Sequence, residues 1–524
     1  MTTKIDEDMA VKEAITAFER EIGVTGVPST RIQVGNREFL KFSVGREAPL
    51  YTYALHESQR NLSEDNPFRG SMGLVPLRAD TFPASIEASA LLTLLTRSTR
   101  EVSQDSSSRG YSVPYVPFQK SEDHHLAQPA SHIVRGRRGV GKSTLIRRAT
   151  ELLSDTEAII AVLDMQTYSL LSGENLIREV MYDACISLAL SGNKAISRLK
   201  LKHEDDKLNS TAQDIISGTV SVSNAPTVIK RALLSLTKAT HSNAYLFLDD
   251  LHLIDHDSQP ILLHAIHAAL KGANGWIKVA GLSSLLNVYS PSTRQGLQVP
   301  GDAQFISLDL TLENPEAAEI HLRAILEGFL KAVGYSLSGS VIPDAAFRRL
   351  AWANAGVPRD FLQMFGRSLE HAQRNRHAAI TLSDVNVAIG EFGQQKMDDL
   401  QRDARNEAGL LRNMLSRLER LCLEENHVNA FLIRSDDSRE RAIVQILSDL
   451  RMVHLIHQSI TPHKAGKRFE AYILDYSLFT GFRRRPNVKE MIPKELQFKA
   501  AELRALPKVS SGFFMDIVAE GAGL

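Results

Sequence analysis

Two cysteines, Cys185 and Cys422, are all the thiol that this 524-residue chain carries. A disulfide framework and a cysteine-rich zinc cluster are therefore excluded, and the 17 histidines fall in no Cys/His metal-ligand spacing. That usage fits a reducing, cytoplasmic compartment. Excess charge is missing too: Lys plus Arg and Asp plus Glu each total 61, so no global field advertises nucleic acid or acidic lipid. No uninterrupted apolar run approaches the ~20 residues of a membrane span. The N-terminal stretch MTTKIDEDMA has acidic residues where a signal peptide needs a basic start and an apolar core. There is no convincing internal repeat or low-complexity tract, and no Asn-Lys-x-Asp-type guanine motif.

What is present is ordinary globular material, 43% hydrophobic and 23% charged. The length exceeds what one core normally holds, which predicts about three or four domains. Residues 1–120 read as an N-terminal α/β region of unknown role. Val11, Ala14, Ile15, Phe18 and Ile22 make one helical stripe, and residues 30–44 read as two strands split at Gly35-Asn36. From about 57 to 130 the chain is rich in Ser, Pro, Arg and Asp, with one apolar helix near Ile86 to Leu95 and a polar run at 103–110.

The texture then changes. His132 to Val134 leads into a glycine-rich turn, Thr144 to Leu153 reads as helix, and Ala158 to Asp164 is a continuous apolar run of buried-strand type. Ala244 to Leu248, Ile277 to Gly281 and Phe305 to Leu310 supply further strands, which predicts a parallel sheet wrapped by helices over 121–312. Residues 170–240 are mostly helical and long for one crossover, and read as an insertion. Residues 313–398 are helical, 399–485 form a further unit, and 486–524 a tail.

Within the glycine-rich turn, Gly136, Arg137, Arg138, Gly139, Val140, Gly141, Lys142 and Ser143 satisfy G-x-x-x-x-G-K-S/T, with Thr144 next on the helix. The glycines let the backbone turn tightly and approach phosphate oxygens. Amides of the loop and of the following helix turn point at an anion, reinforced by the helix dipole. Lys142 is the β- and γ-phosphate contact and Ser143 a Mg²⁺ ligand. The second half of the site is an apolar strand ending in Asp249 and Asp250. Asp249 is the carboxylate on the Mg²⁺ side, and Asp250 the residue to orient or deprotonate a water. An Asp-Asp pair can also simply close a strand, and the loop upstream tips the balance to chemistry.

With these two motifs in place, residues 125–485 resemble an AAA+ ATPase, most closely the origin-recognition and initiator-like branch. The resemblance implies an α/β fold: a P-loop NTPase (AAA+ type) parallel sheet core with helical lid, followed by a winged-helix domain. It implies ATP and Mg²⁺ as ligands, ATP hydrolysis, and a capacity to oligomerise. It makes Ser284, with Ser283 as the alternative, a polar sensor near the γ-phosphate. Ala355-Gly-Val-Pro-Arg359 looks like the family's Gly-x-Pro-Arg start of a lid helix, whose arginine reaches back to the nucleotide. Three departures stand out. Asp250 replaces the usual Glu, which points to slow, switch-like hydrolysis. The insertion between the two motifs also suits the signal-transducing STAND ATPases. No intersubunit arginine finger is evident beyond Arg294, which reads more readily as a solvated loop residue.

In the C-terminal part, Ile443, Ile446, Leu447, Leu450 and Val453 lie on one helical face over 440–453, followed by strands at His454 to Ile460 and Phe469 to Tyr476. Helix, strand, wing, strand is a winged-helix pattern. Lys464, Lys467 and Arg468, with Arg483 to Arg485, could lie along a duplex DNA backbone, although basic hairpin tips are often only solvated and winged helices also dock proteins. The expectation is an ATP-dependent switch or assembly ATPase acting on DNA or a DNA-bound complex, in a bacterial mobile-element or phage-defence setting. The competing expectation is a STAND-like signalling or scaffold ATPase that binds protein partners and not DNA.

Overall fold

A computed structural model describes residues 7–77, 81–99, 110–199, 207–310, 312–403, 408–461, 468–480, 487–491 and 498–517. The chain divides into two compact units, one of residues 1–116, 310–441 and 451–524, the other of residues 117–309 and 442–450. The N-terminal region thus belongs to the same unit as most of the C-terminal half, with the second unit formed by the intervening chain.

In the first unit, α1 (Glu7–Ile22) precedes the antiparallel hairpin β1 (Ser29–Val34) and β2 (Arg37–Val44). After α2 (Pro49–Asn61), β3 (Met72–Pro76) pairs parallel with β2. Phe18 of α1 stacks on Phe42 of β2 with centroids 4.2 Å apart, so the helix stripe read from the sequence covers this small sheet. The helix α3 (Ile86–Thr99) follows.

The second unit opens with α4 (Glu122–Ala127) and β4 (His132–Arg135), then α5 (Lys142–Ser154) and β5 (Ile159–Asp164). Three helices come next: α6 (Gly173–Arg198), α7 (Lys207–Ile216) and α8 (Ala225–Thr240). They lead to β6 (Ala244–Asp249), α9 (Ser258–Leu270) and β7 (Gly275–Gly281). A short hairpin, β8 (Tyr289–Ser290) and β9 (Gln295–Gly296), precedes β10 (Gln304–Ser307).

The five long-range strands form one parallel sheet in the order β10-β4-β7-β6-β5. Every residue of β6 is buried, which is why its sequence is continuously apolar: helices cover both faces of a parallel sheet. The helices of the 170–240 segment contribute Leu176, Val180, Leu188, Leu208, Ile215 and Leu233 to that same core.

The remaining chain of the first unit begins with α10 (Pro315–Ala332), α11 (Asp344–Ala353), α12 (Pro358–Arg374) and α13 (Leu382–Asp403). Leu92 and Leu95 of α3 lie against Gly366 of α12, tying the N-terminal segment to this helical layer. Next come α14 (Ala408–Glu419), β11 (Ala430–Arg434), α15 (Ser438–Asp449), β12 (Val453–Ile460), β13 (Phe469–Leu474) and α16 (Ala500–Arg504). Strands β11, β13 and β12 make an antiparallel sheet in that order. Two local expectations are corrected here. The helix stops at Asp449 rather than 453, because Arg451 takes a left-handed backbone (φ 66°) and Val453 already opens β12. The apolar run Ala430–Arg434 is a strand that the sequence reading passed over.

Two buried ionic clusters mark the units. In the first, Asp360, Lys396, Arg451, His454 and Asp475 are buried together. Lys396 Nζ lies 2.5 Å from Asp475 and 3.4 Å from Asp360, Arg451 pairs with Asp360, and His454 Nε2 lies 2.7 Å from Asp475. Burial would raise the Asp475 pKa, but Lys396 and His454 outweigh it and hold the carboxyl well below the usual range. Lys396→Ala would leave Asp360 to Arg451 and Asp475 to His454 with one buried cation fewer, and should cost about 3 kcal/mol in denaturant unfolding.

In the second unit, Lys278 of β7 is 1% exposed, and its Nζ donates to the Gln128 carbonyl (2.7 Å) and meets His132 Nδ1 (2.9 Å). Burial pushes the ammonium down to about 7, and burial together with the Lys278 charge pushes His132 down to about 3. The unfolded chain binds the lysine proton up to about pH 10.4. Between about pH 7 and pH 10 the unfolded state therefore holds more protons, and this residue makes stability rise with pH. Relative to wild type, Lys278→Met should be most stable at or below pH 7, and the difference should shrink toward pH 10 in paired urea titrations.

Candidate nucleotide site

All strands of the five-stranded sheet run the same way, so their C-terminal ends share one edge, where open α/β sheets place ligands. The loop after β4 and the acids after β6 meet at this edge. Strand β7 lies between β4 and β6, which puts residues 282–284 between the loop and the acids.

The loop turns at Gly139 (φ 80°) and Gly141 (φ 103°), both in the left-handed region. At Gly136 an added Cβ would sit 2.9 Å from Val140 Cγ2, so loop closure requires a glycine there. Val140 is buried and pins the loop by packing. Helix α5 begins at Lys142, and by helix geometry the amides of its first turn, including Ser143 and Thr144, have no intrahelical acceptor. Ser143 and Thr144 are exposed, while Arg138 and Gly139 are half-buried.

Lys142 is folded into the loop: its Nζ donates to the carbonyls of Gly136 (2.9 Å) and Arg137 (3.1 Å). Burial pushes its pKa down, and the charges of Asp250, Asp249, Asp309 and Asp449 oppose that shift. The Ser143 side chain hydrogen-bonds to Asp249, which also accepts the Asp250 N–H at 3.0 Å. Burial and the neighbouring Asp250 push the Asp249 carboxyl up to about 6, against the pull of Ser143 and Lys142. Asp250 is half-buried, takes a left-handed backbone (φ 54°), and has Oδ1 3.8 Å from His252 Nδ1.

The arrangement suits a metal-bound nucleoside triphosphate. A buried ammonium held only by backbone carbonyls can turn to phosphate, and one hydroxyl beside one carboxylate is the small protein ligand set that Mg²⁺ takes when phosphate and water supply the rest. Residues Ser143 and Asp249 would hold the ion, which would neutralise phosphate charge.

Two carboxylates of the site went unnoticed in the sequence. Asp309 follows β10 and accepts from both the backbone N–H (2.9 Å) and Nε (3.2 Å) of Arg137. Arg137, 4% exposed, thus anchors the loop through its side chain. An acid just past the fifth parallel strand was a usable signal, since all strand ends share that edge. Asp449 accepts the Ser284 N–H at 2.6 Å, and no local pattern announces it.

Of the other candidates, Ser283 and Ser284 are half-buried in the turn after β7. Arg294 is exposed at the tip of the β8–β9 hairpin, with φ 56°. Arg359 lies at the start of α12 in the first unit and is half-buried. Arg468 is exposed next to β13. Lys464, Lys467 and Arg483 to Arg485 lie outside the described residues.

A family model described as "AAA ATPase domain" matches residues 121–272. Among curated proteins, the chloroplastic magnesium-chelatase subunit ChlI of Nicotiana tabacum is 25% identical over 284 residues, covering 52% of this chain. The match spans 59% of that relative's length. Among solved structures, the Orc1 protein of Aeropyrum pernix in complex with DNA is 16% identical with a TM-score of 0.37, covering 69% of this chain and 91% of that one. Cdc6p from Pyrobaculum aerophilum is 15% identical with a TM-score of 0.35, covering 80% and 98%. The RuvB Holliday junction branch migration motor of Thermotoga maritima is 14% identical with a TM-score of 0.28, covering 54% and 76%.

Two substitutions probe the loop directly. Gly141→Ala forces a Cβ into a left-handed backbone and should cost about 1–3 kcal/mol of stability. Asp309→Ala removes the acceptor of the Arg137 N–H and Nε and should weaken nucleotide binding and lower the melting temperature together; equal affinity to wild type in the folded variant would show that this anchor is dispensable. The phosphate loop and the Asp249–Asp250 strand end both lie within residues 121–272, the stretch that matches the AAA ATPase domain model.

Proposed function

We propose that the protein binds ATP with Mg²⁺ and hydrolyses it slowly, as a nucleotide-dependent switch or assembly ATPase acting on DNA or a DNA-bound complex. The observation that carries the reading is the meeting of Lys142, Ser143 and Asp249 at one sheet edge, with Lys142 held by loop carbonyls and Ser143 hydrogen-bonded to Asp249. Asp250 is the residue to orient or deprotonate the attacking water, and its short arm slows that step. Ser284 and Arg359 are the nucleotide-sensing residues, Arg359 through a bond that exists only while the anion is present.

The β11–β13 sheet with α15 is read as a winged helix, a reading supported by its antiparallel strand order. Arg468 and the neighbouring Lys464 and Lys467, with Arg483 to Arg485, are the proposed duplex contacts. A scaffold that binds proteins alone would bind no duplex at any salt concentration.

Lys142→Ala should weaken ATP binding by about a hundredfold or more. Asp250→Asn should bind ATP normally and lose about 100-fold or more in turnover. Asp250→Glu should turn over faster than wild type. Undiminished ATP binding by Lys142→Ala would remove the site from the account. For DNA, the expected result is salt-weakened duplex binding abolished by charge reversal at Lys464, Lys467 and Arg468; no binding at low salt would sink it.

A further inference from the structure

One residue outside the loop occupies two of the site's hydrogen-bond donors at once. The Asp449 carboxylate accepts the Ser284 N–H at 2.6 Å, and its backbone carbonyl accepts the Arg138 N–H at a longer 3.4 Å. Arg138 is a phosphate-loop residue, and Ser284 stands in the turn between the loop and Asp249. Asp449 itself is 1% exposed, steadied by Gln445 Nε2 at 3.4 Å from its other carboxylate oxygen. Its negative charge also acts on Lys142 together with those of Asp249, Asp250 and Asp309.

Each of the other three acids has an evident task. Asp309 pairs with Arg137, Asp249 meets Ser143, and Asp250 follows it on the strand end. Asp449 instead places oxygens where an anion would find amide donors. A triphosphate carries several negative charges, so a further carboxylate beside its binding groups repels it, and the repulsion is strong in a water-poor site.

We infer that Asp449 is a built-in competitor of the nucleotide, whose oxygens fill the donors of Ser284 and Arg138 and must be displaced when a triphosphate binds. It is a specificity residue as well, because the penalty falls most heavily on the ligand with the most phosphate charge. Burial, with the Asp309 charge adding to it, pushes the Asp449 carboxyl above the usual carboxylate range, as expected of an acid held in place by packing. Asp449 is also the last residue of α15.

The inference rests on the nucleotide-binding reading of the site, and the test separates the two. Affinity of the full-length protein for a fluorescent ATP analogue and for ADP, each with Mg²⁺, is measured for wild type, Asp449→Asn, Asp449→Ala and Lys142→Ala. Exchange of the Ser284 amide hydrogen is followed without nucleotide in the same proteins. The expected result is ATP binding tightened about tenfold or more by both Asp449 substitutions, a smaller gain for ADP, and faster Ser284 exchange in Asp449→Ala. Asn keeps the shape and removes the charge, so it guards against a fold defect in the Ala variant. Unchanged or weaker ATP affinity in a folded Asp449→Asn protein, with wild type binding normally, overturns the competitor and leaves the site standing. Failure of wild type and both Asp449 variants to bind any nucleotide overturns the reading of the site, and the competitor with it.

Discussion

Everything proposed for this chain depends on one ammonium group. Lys142 is buried, held by two carbonyls of its own loop, and surrounded by the charges of four carboxylates. Burying such a charge without compensation is costly, so the surrounding structure has to supply acceptors. It does so with a loop whose glycines allow the carbonyls to turn inward, and with acids delivered by two strand ends and one helix end. The sheet order makes this possible, because residues far apart in sequence end their strands side by side.

The same geometry explains how much could be read beforehand. The loop and the Asp249–Asp250 strand end carry local chemistry, and the strands around them are continuously apolar because both faces of the sheet are covered. Those features are visible in short windows. Asp309 fell inside the strand read from the sequence at Phe305 to Leu310, whereas β10 ends at Ser307, and Asp449 needed a contact between residues 165 apart, from a helix end to the turn after β7. No period or motif encodes such a contact. The membership of residues 1–116 in the first unit was equally hidden, since it comes from packing such as Leu92 and Leu95 against Gly366.

The helix end at Asp449 shows how local and long-range terms combine. Apolar spacing alone extends the helix to Val453, but Arg451 adopts a left-handed backbone and turns its guanidinium onto Asp360 in the buried cluster. The helix therefore terminates with Asp449, the residue that meets Ser284.

The central claim is that the loop from Gly136 to Ser143 is a phosphate cradle built around Lys142. Amide hydrogen exchange across residues 136–145, compared with and without ATP and Mg²⁺, tests it most directly. The account predicts strong, Mg²⁺-dependent protection of the loop and the first turn of α5 in wild type, and none in Lys142→Ala. Identical exchange in wild type with and without nucleotide, at saturating ATP, would contradict it.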